Sequence, residues 1–331
     1  MSNLPDITRA LDPQRADIYF ARAQQTLQHA GRDALATMEV FTSRGGVLCG
    51  MKEVHTLLQR VLPAACEVWS LAEGDTLAPK EVALRISAPY SSFGLYETAI
   101  LGILASETGW ATAARAIAEV AMPAPVICFG ARHVHPDVSA RMEYAAIVGG
   151  CATSATPAGA SLAGKRASGT MPHAMVLLFG DTRLAARAFD EAMPADVSRI
   201  VLVDTFKDEA EESLRVADAL GEKLWGVRLD TPPERGRVTP DLVKEVRARL
   251  DQAGHTRVKI FVSGGIDVAR VQLFKDQGAP VDGYGAGSAI SGAPPIDFTA
   301  DLKLINGQAI AKRGRIPGLA DSPRLQRIII G

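Results

Sequence analysis

The sequence predicts an α/β protein whose central feature is a parallel sheet closed, or nearly closed, into a barrel. After Pro123-Ala-Pro125 the chain alternates short β-branched runs with helical segments, which is the pattern of βα units. About seven strand-like runs are visible, against the eight of a complete barrel, so we expect an incomplete barrel. The 331 residues are 47% hydrophobic, which is enough to bury the core of one large domain or two smaller ones.

The segment before Pro123 mixes helices and strands without that alternation. Its last two helices are apolar with few charges, so we expect them to pack between domains or subunits. The predicted elements are a loose arm (1–13), a helix (17–31), strands (33–41 and 45–50), a helix (53–62), two or three strands (66–90) and two apolar helices (96–109 and 111–121).

The barrel segment contains the regular alternation, and the tail adds a strand pair. The predicted barrel strands are 126–130, a weak one at 149–154, 174–180, 199–206, 224–230, 258–265 and 283–290, and the helices are 137–147, 182–192, 208–220, 239–253 and 267–277. After the barrel, 301–308 and 309–314 predict a final strand pair split by an Asn306-Gly307 turn. This pair could return to the N-terminal domain.

Charge, hydropathy and cysteine content exclude several classes of protein. Lys plus Arg is 36 and Asp plus Glu is 37, so the net charge of −1 gives no reason to expect nucleic acid or an anionic membrane. The mean hydropathy is +0.08. We expect no signal peptide, because the first residues lack an apolar core, and no membrane span, because no apolar stretch is long enough to cross a bilayer. The four cysteines lie far apart without CxxC spacing, which indicates core residues in a reducing compartment rather than a zinc or disulfide frame. We therefore expect a cytoplasmic protein.

Polar and glycine-rich groups stand at the carboxyl ends of the predicted barrel strands. Because a βα barrel carries its active site at that rim, residues far apart in sequence are expected to converge there. His173 fits least well, since it precedes its predicted strand. The groups are Arg132, His173, Asp204, Arg228, Asp230, Ser263, Gly264, Gly265, Gly285, Ala286, Gly287 and Ser288.

The last two strand ends predict a phosphate cradle. SGG (263–265) and GAGS (285–288) are glycine-rich, and each precedes a helix start. Glycine lets backbone N–H groups approach an oxyanion, and barrels often bind phosphate at their last two strand loops. The alternative interpretation is that both segments are tight turns that require glycine for their backbone conformation and bind no phosphate.

Arg228, Asp230 and Asp204 offer one cation and two carboxylates. Arg228 and Asp230 point to the same side of their strand, because Leu229 alternates between them. Such a set suits a sugar diol, Mg²⁺ and a pyrophosphate, with Asp204 and Asp230 as the metal ligands. A structural ion pair at the barrel mouth is the alternative.

Several basic residues keep more than one role. His173 could be a core histidine, a general acid or base, or a covalent phosphate acceptor. His133 and His135 form a His-x-His pair without further ligands at matching spacing, so no zinc site is predicted, and one of them could cap the helix that starts at Pro136. Lys165 and Arg166 form a basic loop that either touches pyrophosphate or is solvated.

The order of the motifs resembles that of the nicotinate phosphoribosyltransferase family, which is similar to the quinolinate and nicotinamide phosphoribosyltransferases. The resemblance covers nearly the whole chain, residues 15–315. The motifs that carry it are DIYFARA, YSSFGLYETAILGIL, FGARHVHP, SGTMPHAM, LVDTFKDE, VRLDTP, VSGGID and GAGSAI.

This resemblance implies a fold, a reaction and an assembly. The fold would be an irregular α/β barrel (123–296) with an N-terminal α/β sandwich domain (14–122) completed by the C-terminal tail (297–331). The reaction would be nicotinate plus 5-phosphoribosyl-1-pyrophosphate (PRPP) giving nicotinate mononucleotide and pyrophosphate, in NAD biosynthesis, with ATP as co-substrate, Mg²⁺ required and a ligase-type classification. The protein would be a homodimer or higher oligomer with shared active sites.

The resemblance also implies residue roles. Phe129 and the partner subunit's Tyr19 would sandwich the pyridine ring, and Arg132 would hold the carboxylate or PRPP. ATP would phosphorylate His173, and Asp204 would orient it or hold metal. The ribosyl-phosphate would be held by Arg228 and Asp230, and its 5′-phosphate by Gly265, Gly287 and Ser288, beside Ser263 and Gly264.

Departures from the family pattern keep rival functions open. Cys151-Ala152-Thr153 replaces a loop that more often carries an acid, which leaves the choice of base open, and the cysteine-rich zinc tail of some relatives is absent from this sequence. A quinolinate phosphoribosyltransferase, which decarboxylates its substrate, is the near rival. A phosphosugar lyase or isomerase would need a strand-end lysine such as Lys207, and a non-catalytic metabolite sensor would keep only the phosphate cradle.

Overall fold

A computed structural model describes residues 6–329. The ends of the predicted arm (1–5) and of the predicted tail (330–331) lie outside the described residues. Within the described part of the arm, Ile7 is buried and Arg9 pairs with Asp137, so this part is held against the protein. The elements up to residue 122 are α1 (Ile18–His29), β1 (Leu35–Thr42), β2 (Gly46–Val47), α2 (Met51–Val61), β3 (Glu67–Ser70), β4 (Thr76–Leu77), β5 (Val82–Pro89), α3 (Tyr90–Phe93) and α4 (Glu97–Ala121).

The second half of the chain follows the predicted alternation at all but one place. Its elements are β6 (Val126–Cys128), α5 (Pro136–Gly149), β7 (Thr153–Ser154), α6 (Pro157–Leu162), α7 (His173–Phe179), α8 (Thr182–Ala192), β8 (Arg199–Leu202), α9 (Glu209–Leu220), β9 (Leu224–Leu229), α10 (Pro240–Gln252), β10 (Lys259–Val262), α11 (Val268–Asp276), β11 (Gly283–Ala286), α12 (Ser288–Ser291), β12 (Phe298–Ile305), β13 (Gln308–Ala309) and β14 (Gln326–Ile328).

An antiparallel sheet of six strands joins the two ends of the chain. Its order is β13-β12-β1-β5-β3-β14, so strands from the tail flank strands from the start. Asn306 and Gly307 have φ angles of 49° and 78° and form the turn between β12 and β13, as their dipeptide predicts. The return of the tail to the N-terminal sheet is confirmed, while the domain boundaries at 122/123 and 296/297 remain our proposal.

The parallel strands form a curled half-barrel rather than a closed barrel. Their order is β7-β6-β11-β10-β9-β8, with β7 and β8 at the two open edges. Every pairing in this sheet is parallel, which places the carboxyl ends of all six strands at one edge. The prediction of an incomplete barrel is therefore confirmed only as a curled parallel sheet with two open edges.

The predicted strand 174–180 is wrong, because this segment forms helix α7. Pro172 precedes the first turn, and Gly180 ends the helix in a left-handed conformation with φ of 69°. Val176 is its buried residue, whereas Leu178 is 87% exposed. Since alanine, methionine and leucine favour helices, a short apolar run of this composition does not define a strand. His173 therefore begins a helix at the open side of the sheet.

One helix, α4, replaces the two apolar helices predicted between 96 and 121. Gly109, the expected break, lies inside this helix. Its lack of a side chain allows close packing, because a Cβ there would stand 2.5 Å from the Pro294 carbonyl oxygen. Helix α4 contacts α2 on one side and both α5 and α11 on another. It thus packs between the two sheets, consistent with the prediction for this apolar segment.

Two large apolar cores accompany the two sheets, and α4 contributes to both of them. The helices among residues 6–329 are all too short or too polar to cross a bilayer.

Candidate active site

The carboxyl ends of β6, β9, β10 and β11 open into a cavity of about 480 Å³. It brings together most of the residues predicted for the strand-end site, although their chemical roles stay predictions. The predicted residues in its wall are Phe129, Arg132, Arg228, Asp230, Ser263, Gly264, Gly265, Gly285, Gly287 and Ser288, and the structure adds His133 and the loop 169–172.

His173 faces two carboxylates beside this cavity. Its Nε2 atom lies 3.6 Å from Asp204 Oδ2 and 3.6 Å from Asp230 Oδ2, and its Nδ1 atom lies 3.1 Å from Thr205 Oγ1. A hydrogen bond to Asp230, supported by the charges of both carboxylates, raises the pKa of His173 despite its partial burial. The imidazolium is therefore favoured at this position.

Asp204 is the most buried acid of the site. Its side chain is 1% exposed, and burial, reinforced by the Asp230 charge, raises its pKa to about 6. Its Oδ1 atom has no hydrogen-bond partner among the described residues. A buried carboxylate oxygen without a partner is costly, so this atom is available to a cation or a ligand.

The pKa of Asp230 is shifted in the opposite direction from that of Asp204, because its surroundings favour the charged form. Although burial opposes it, hydrogen bonds from His173 and Ser263 and the charge of Arg228 hold its pKa below the ordinary value. The Ser263 hydroxyl donates to Asp230 Oδ1 at 2.9 Å, and Arg228 Nη2 lies 3.8 Å from Asp230 Oδ2. Gly264, at φ of 86°, would place a Cβ 3.0 Å from the same Oδ1 atom.

Phe129 and Arg228 form one wall of the cavity. The Arg228 guanidinium carbon lies 5.6 Å from the centre of the Phe129 ring, and its Nε atom is buried without a partner among the described residues. Gly285 lies against the same ring, because a Cβ there would stand 2.5 Å from Phe129 Cε2. An aromatic ring beside a buried cation suits a planar, negatively charged ring compound.

Two arginines that the motifs do not reveal lie next to the glycine turns. Arg237 and Arg270 line a second cavity of about 480 Å³ together with Gly265 and Ser288. Arg237 adopts a φ of 65°, and its guanidinium lies where a side chain at Gly265 would be. Arg270 donates from Nη2 to the Val238 carbonyl oxygen, and its Nε atom is buried without a partner in the described chain. The signal in the sequence was only their position just after VRLD and SGGID.

Four predicted residues, His135, Lys165, Arg166 and Tyr19, lie away from these cavities. His135 caps α5, accepting from the Asp137 backbone N–H at Nδ1, and its side chain is 74% exposed. In the basic loop of Lys165, Arg166 is 83% exposed and pairs with Asp196 at 2.7 Å. Tyr19 on α1 is 59% exposed and lines neither cavity. Its role opposite Phe129 would need a second subunit and stays a prediction.

The carboxylates Asp204 and Asp230 fit Mg²⁺. They provide oxygen ligands on neighbouring strand ends, and the unpartnered Asp204 Oδ1 atom is a free donor for such an ion. Mg²⁺ is commonly held by one or two carboxylates together with substrate phosphates.

Comparison with known proteins identifies relatives of the whole chain. The family models for the N-terminal and C-terminal domains of quinolinate phosphoribosyl transferase match residues 17–108 and 110–301. A solved nicotinate-nucleotide pyrophosphorylase from Pyrococcus furiosus is 39% identical with a TM-score of 0.88, covering 96% of this chain and 81% of that one. The human nicotinic acid phosphoribosyltransferase, 21% identical with a TM-score of 0.74 over 92% of this chain and 77% of that one, shares the fold.

Curated relatives give a weaker likeness. A nicotinate phosphoribosyltransferase from Mycobacterium tuberculosis is 30% identical over 252 residues, which are 74% of this chain and 53% of that protein. The chain thus spans about half the length of the curated relatives that it matches.

These findings correct the assignment to nicotinate phosphoribosyltransferase. Both family models and the Pyrococcus relative favour the quinolinate enzyme, the near rival. The prediction of an ATP-dependent, ligase-type activity is wrong. The predictions of ATP as a co-substrate and of a phosphohistidine at His173 depended on it and are not supported either. The physical reason is that the motifs describe a phosphoribosyl site, which related enzymes share, and do not define the acceptor.

Proposed function

The chain belongs to the quinolinate phosphoribosyltransferase family, and we propose that it transfers the phosphoribosyl group of PRPP to quinolinate, releasing pyrophosphate and CO₂ in pyridine nucleotide biosynthesis. The observation that carries this proposal is the match of both family domains, in order, over residues 17–301. The cavity supports it, because cations and an aromatic ring converge there with a glycine-rich rim.

PRPP would lie across the two cavities. Its 5′-phosphate would occupy the turn at Gly265 and Ser288, where the Arg237 and Arg270 guanidiniums supply positive charge. Asp230, held charged by Ser263 and Arg228, would accept from the ribose hydroxyls. The pyrophosphate would then point toward His173, whose raised pKa favours the cationic form.

Quinolinate would lie on Phe129. Its two carboxylates require two sources of positive charge or hydrogen bonding, and the same cavity offers Arg132, Arg228 and His133. His133 is oriented by Ser291, whose Oγ atom lies 3.2 Å from His133 Nδ1. Tyr19 of a second copy remains our proposal for the other face of the ring, and a shared-site homodimer is proposed with it.

The chemistry asks for positioning and charge stabilisation. The pyridine nitrogen attacks the anomeric carbon while the bond to pyrophosphate breaks, and pyrophosphate leaves with the bonding electrons. The positive nitrogen then accommodates the electron pair left at C2 when CO₂ departs, and a solvent proton replaces CO₂. The arginines and the His173 imidazolium stabilise the leaving charge.

Mg²⁺ would be held by Asp204 and Asp230, and when bound it would neutralise pyrophosphate charge. The buried Asp204 carboxylate supports this proposal, because its Oδ1 atom lacks a hydrogen-bond partner among residues 6–329 and is free to bind a cation.

A direct assay tests the proposed reaction. Purified protein is incubated with PRPP and Mg²⁺ and either quinolinate or nicotinate, without ATP, and nucleotide, pyrophosphate and CO₂ are measured. We expect equal amounts of all three products with quinolinate. Nucleotide formation from nicotinate but not from quinolinate would contradict the proposal, as would absence of product with both acids.

A further inference from the structure

A second polar cluster lies away from the strand-end cavities, where the antiparallel half of the protein meets α5. It contains Cys49 in the connection between β2 and α2, Glu73 in the β3–β4 loop and Glu107 on α4. One ligand atom from each lies within 4.8 Å of the other two. Cys49 is fully buried and Glu107 is 2% exposed, while Glu73 is partly exposed and leaves a route for an ion.

The distances in this cluster match those between ligands of a tetrahedral metal. Cys49 Sγ lies 3.2 Å from Glu73 Oε1 and 3.6 Å from Glu107 Oε2. With a metal–sulfur bond of about 2.3 Å and a metal–oxygen bond of about 2.0 Å, tetrahedral angles separate the two ligand atoms by about 3.5 Å. Little movement is therefore needed to admit an ion.

A buried polar atom at the cluster lacks a partner. Glu107 Oε1 makes no hydrogen bond within the described chain, although its side chain is more than nine-tenths buried. Tyr144 faces the cluster, since burial, the charges of Glu73, Cys49 and Glu107 and a hydrogen bond to Glu73 together raise the pKa of its hydroxyl. Buried polar atoms are almost always satisfied in folded proteins, so Glu107 Oε1 points to a missing ligand.

The charge balance also favours a cation. Among the described residues, neither Glu73 nor Glu107 takes part in an ion pair, and the nearby Arg141 is already engaged by Glu53 through bonds of 2.8 and 3.0 Å. The Glu73 carboxylate accepts from the Gly50 and Lys52 backbone N–H groups, which orients it toward Cys49. Two carboxyl groups, one of them fully buried, and a buried thiol thus lie together without an ion-pair partner in the described part of the chain.

We propose that Cys49, Glu73 and Glu107 bind one Zn²⁺ ion, with the Tyr144 hydroxyl or a water molecule near the fourth position. One thiolate with two carboxylates is a borderline-soft donor set, which suits zinc better than Mg²⁺. The ion would connect the β2 segment, the β3–β4 loop and α4. Since none of its ligands lines the strand-end cavity, its role is structural and independent of the proposed reaction.

The test uses Co²⁺ as a spectroscopic substitute for zinc in the full chain. Protein freed of metal by a chelator and dialysed is titrated with Co²⁺, and thiolate-to-cobalt charge-transfer absorption is recorded before and after Zn²⁺ is added. Cobalt held by Asp204 and Asp230 has no thiolate ligand and gives no such band, so the readout separates the two sites.

We expect one cobalt per chain with a charge-transfer band, which zinc abolishes and which Cys49→Ser lacks. The matched control Cys151→Ser, also a buried cysteine, should keep the band. Glu107→Gln should weaken cobalt binding at least tenfold. Zinc at about 100 times its dissociation constant should raise the melting temperature of the wild type by about 4 °C.

The wild-type measurement decides the question even if a variant fails to fold. Absence of the charge-transfer band at saturating Co²⁺ would overturn the zinc site. It would indicate that hydrogen bonds between the Cys49 thiol and the two carboxyl groups hold the cluster together without a metal. A band that persists in a folded Cys49→Ser variant would equally overturn it.

Discussion

Two clusters of carboxyl groups within residues 6–329 differ in their positive partners. Asp204 and Asp230 both face His173, and Asp230, which also lies near Arg228, lines an open cavity. Glu73 and Glu107 contact a thiol and have no ion-pair partner among the described residues, and the nearby Arg141 is engaged by Glu53.

This difference sets the protonation of each cluster. In the first, the cations keep the pKa of Asp230 below its usual range, while burial raises that of Asp204 to about 6. In the second, burial and neighbouring acids raise the pKa of both Glu107 and the Cys49 thiol well above their ordinary values. A charged, open cluster suits an anionic substrate with its counterion, whereas a cation-poor, enclosed cluster suits a resident metal.

The largest effect is expected for Asp230→Asn. Loss of the carboxylate that Ser263 and Arg228 hold should lower kcat/KM for nucleotide formation by about 10²–10³-fold, the range seen when a preorganised charge is removed. Steady-state kinetics with PRPP and quinolinate measure this, and circular dichroism checks that the variant folds. A loss below tenfold in a folded variant would mean that Asp230 is a structural ion partner only.

Asp204→Asn should stabilise the protein while impairing Mg²⁺-dependent activity. Because the folded-state pKa of about 6 lies above the ordinary 3.8, the native state holds the extra proton and stability falls as pH rises from about 4 to 6. The variant removes this penalty, so its free energy of unfolding at pH 8 should exceed that of the wild type by about 1–3 kcal/mol.

Urea unfolding at pH 4 and pH 8 measures this difference, which should nearly vanish at pH 4. The matched control is Asp196→Asn, an exposed carboxylate, whose substitution should leave stability almost unchanged at both pH values. A variant less stable than the wild type at pH 8 would show that attraction to His173 outweighs burial.

Glu107→Gln should have a smaller effect in metal-free protein. Since burial already favours the protonated form of Glu107, the amide resembles the native group and should change the free energy of unfolding by no more than about 1 kcal/mol. Thermal unfolding with and without Zn²⁺ measures this, and at the same zinc concentration the zinc-dependent rise should be about half that of the wild type or less. A loss of several kcal/mol without metal would place a structural hydrogen bond at Glu107.

The smallest effect is expected for Arg166→Ala. The side chain is 83% exposed and pairs only with the exposed Asp196, so stability should change by less than about 0.5 kcal/mol and kcat/KM by less than about twofold. Kinetics at varied PRPP concentration measure it. A tenfold rise in KM for PRPP would instead support the predicted contact of this loop with pyrophosphate.

Most of the site could be predicted because the position of each strand end is a local property of the sequence. Parallel strands place their carboxyl ends at one edge, so Arg228, Asp230 and the glycine turns could be expected to meet. The failure at 174–180 came from a short apolar run, in which helix and strand differ only by what is buried. The sequence did not predict Arg237 and Arg270 as site residues. The side chain of Arg237 is directed by its own positive φ, and that of Arg270 by its place in the first turn of α11.

The acceptor was predicted wrongly for a different reason. The motifs lie around the phosphoribosyl end of the site, which related enzymes share, and the base-proximal Cys151-Ala152-Thr153 gave no decisive signal. Family-domain matches over residues 17–108 and 110–301 were needed to favour the quinolinate enzyme.

Hydropathy periodicity and turn residues by themselves determined the βα alternation, the strand-end polar groups and the Asn306-Gly307 turn, since each depends on neighbours along the chain. Only the tertiary structure decided which distant side chains share one environment. Glu73 and Glu107 stand 24 and 58 residues from Cys49, a separation that no spacing rule connects. Charge, burial and missing partners act through space, so a site built from such residues becomes visible only when the chain has folded.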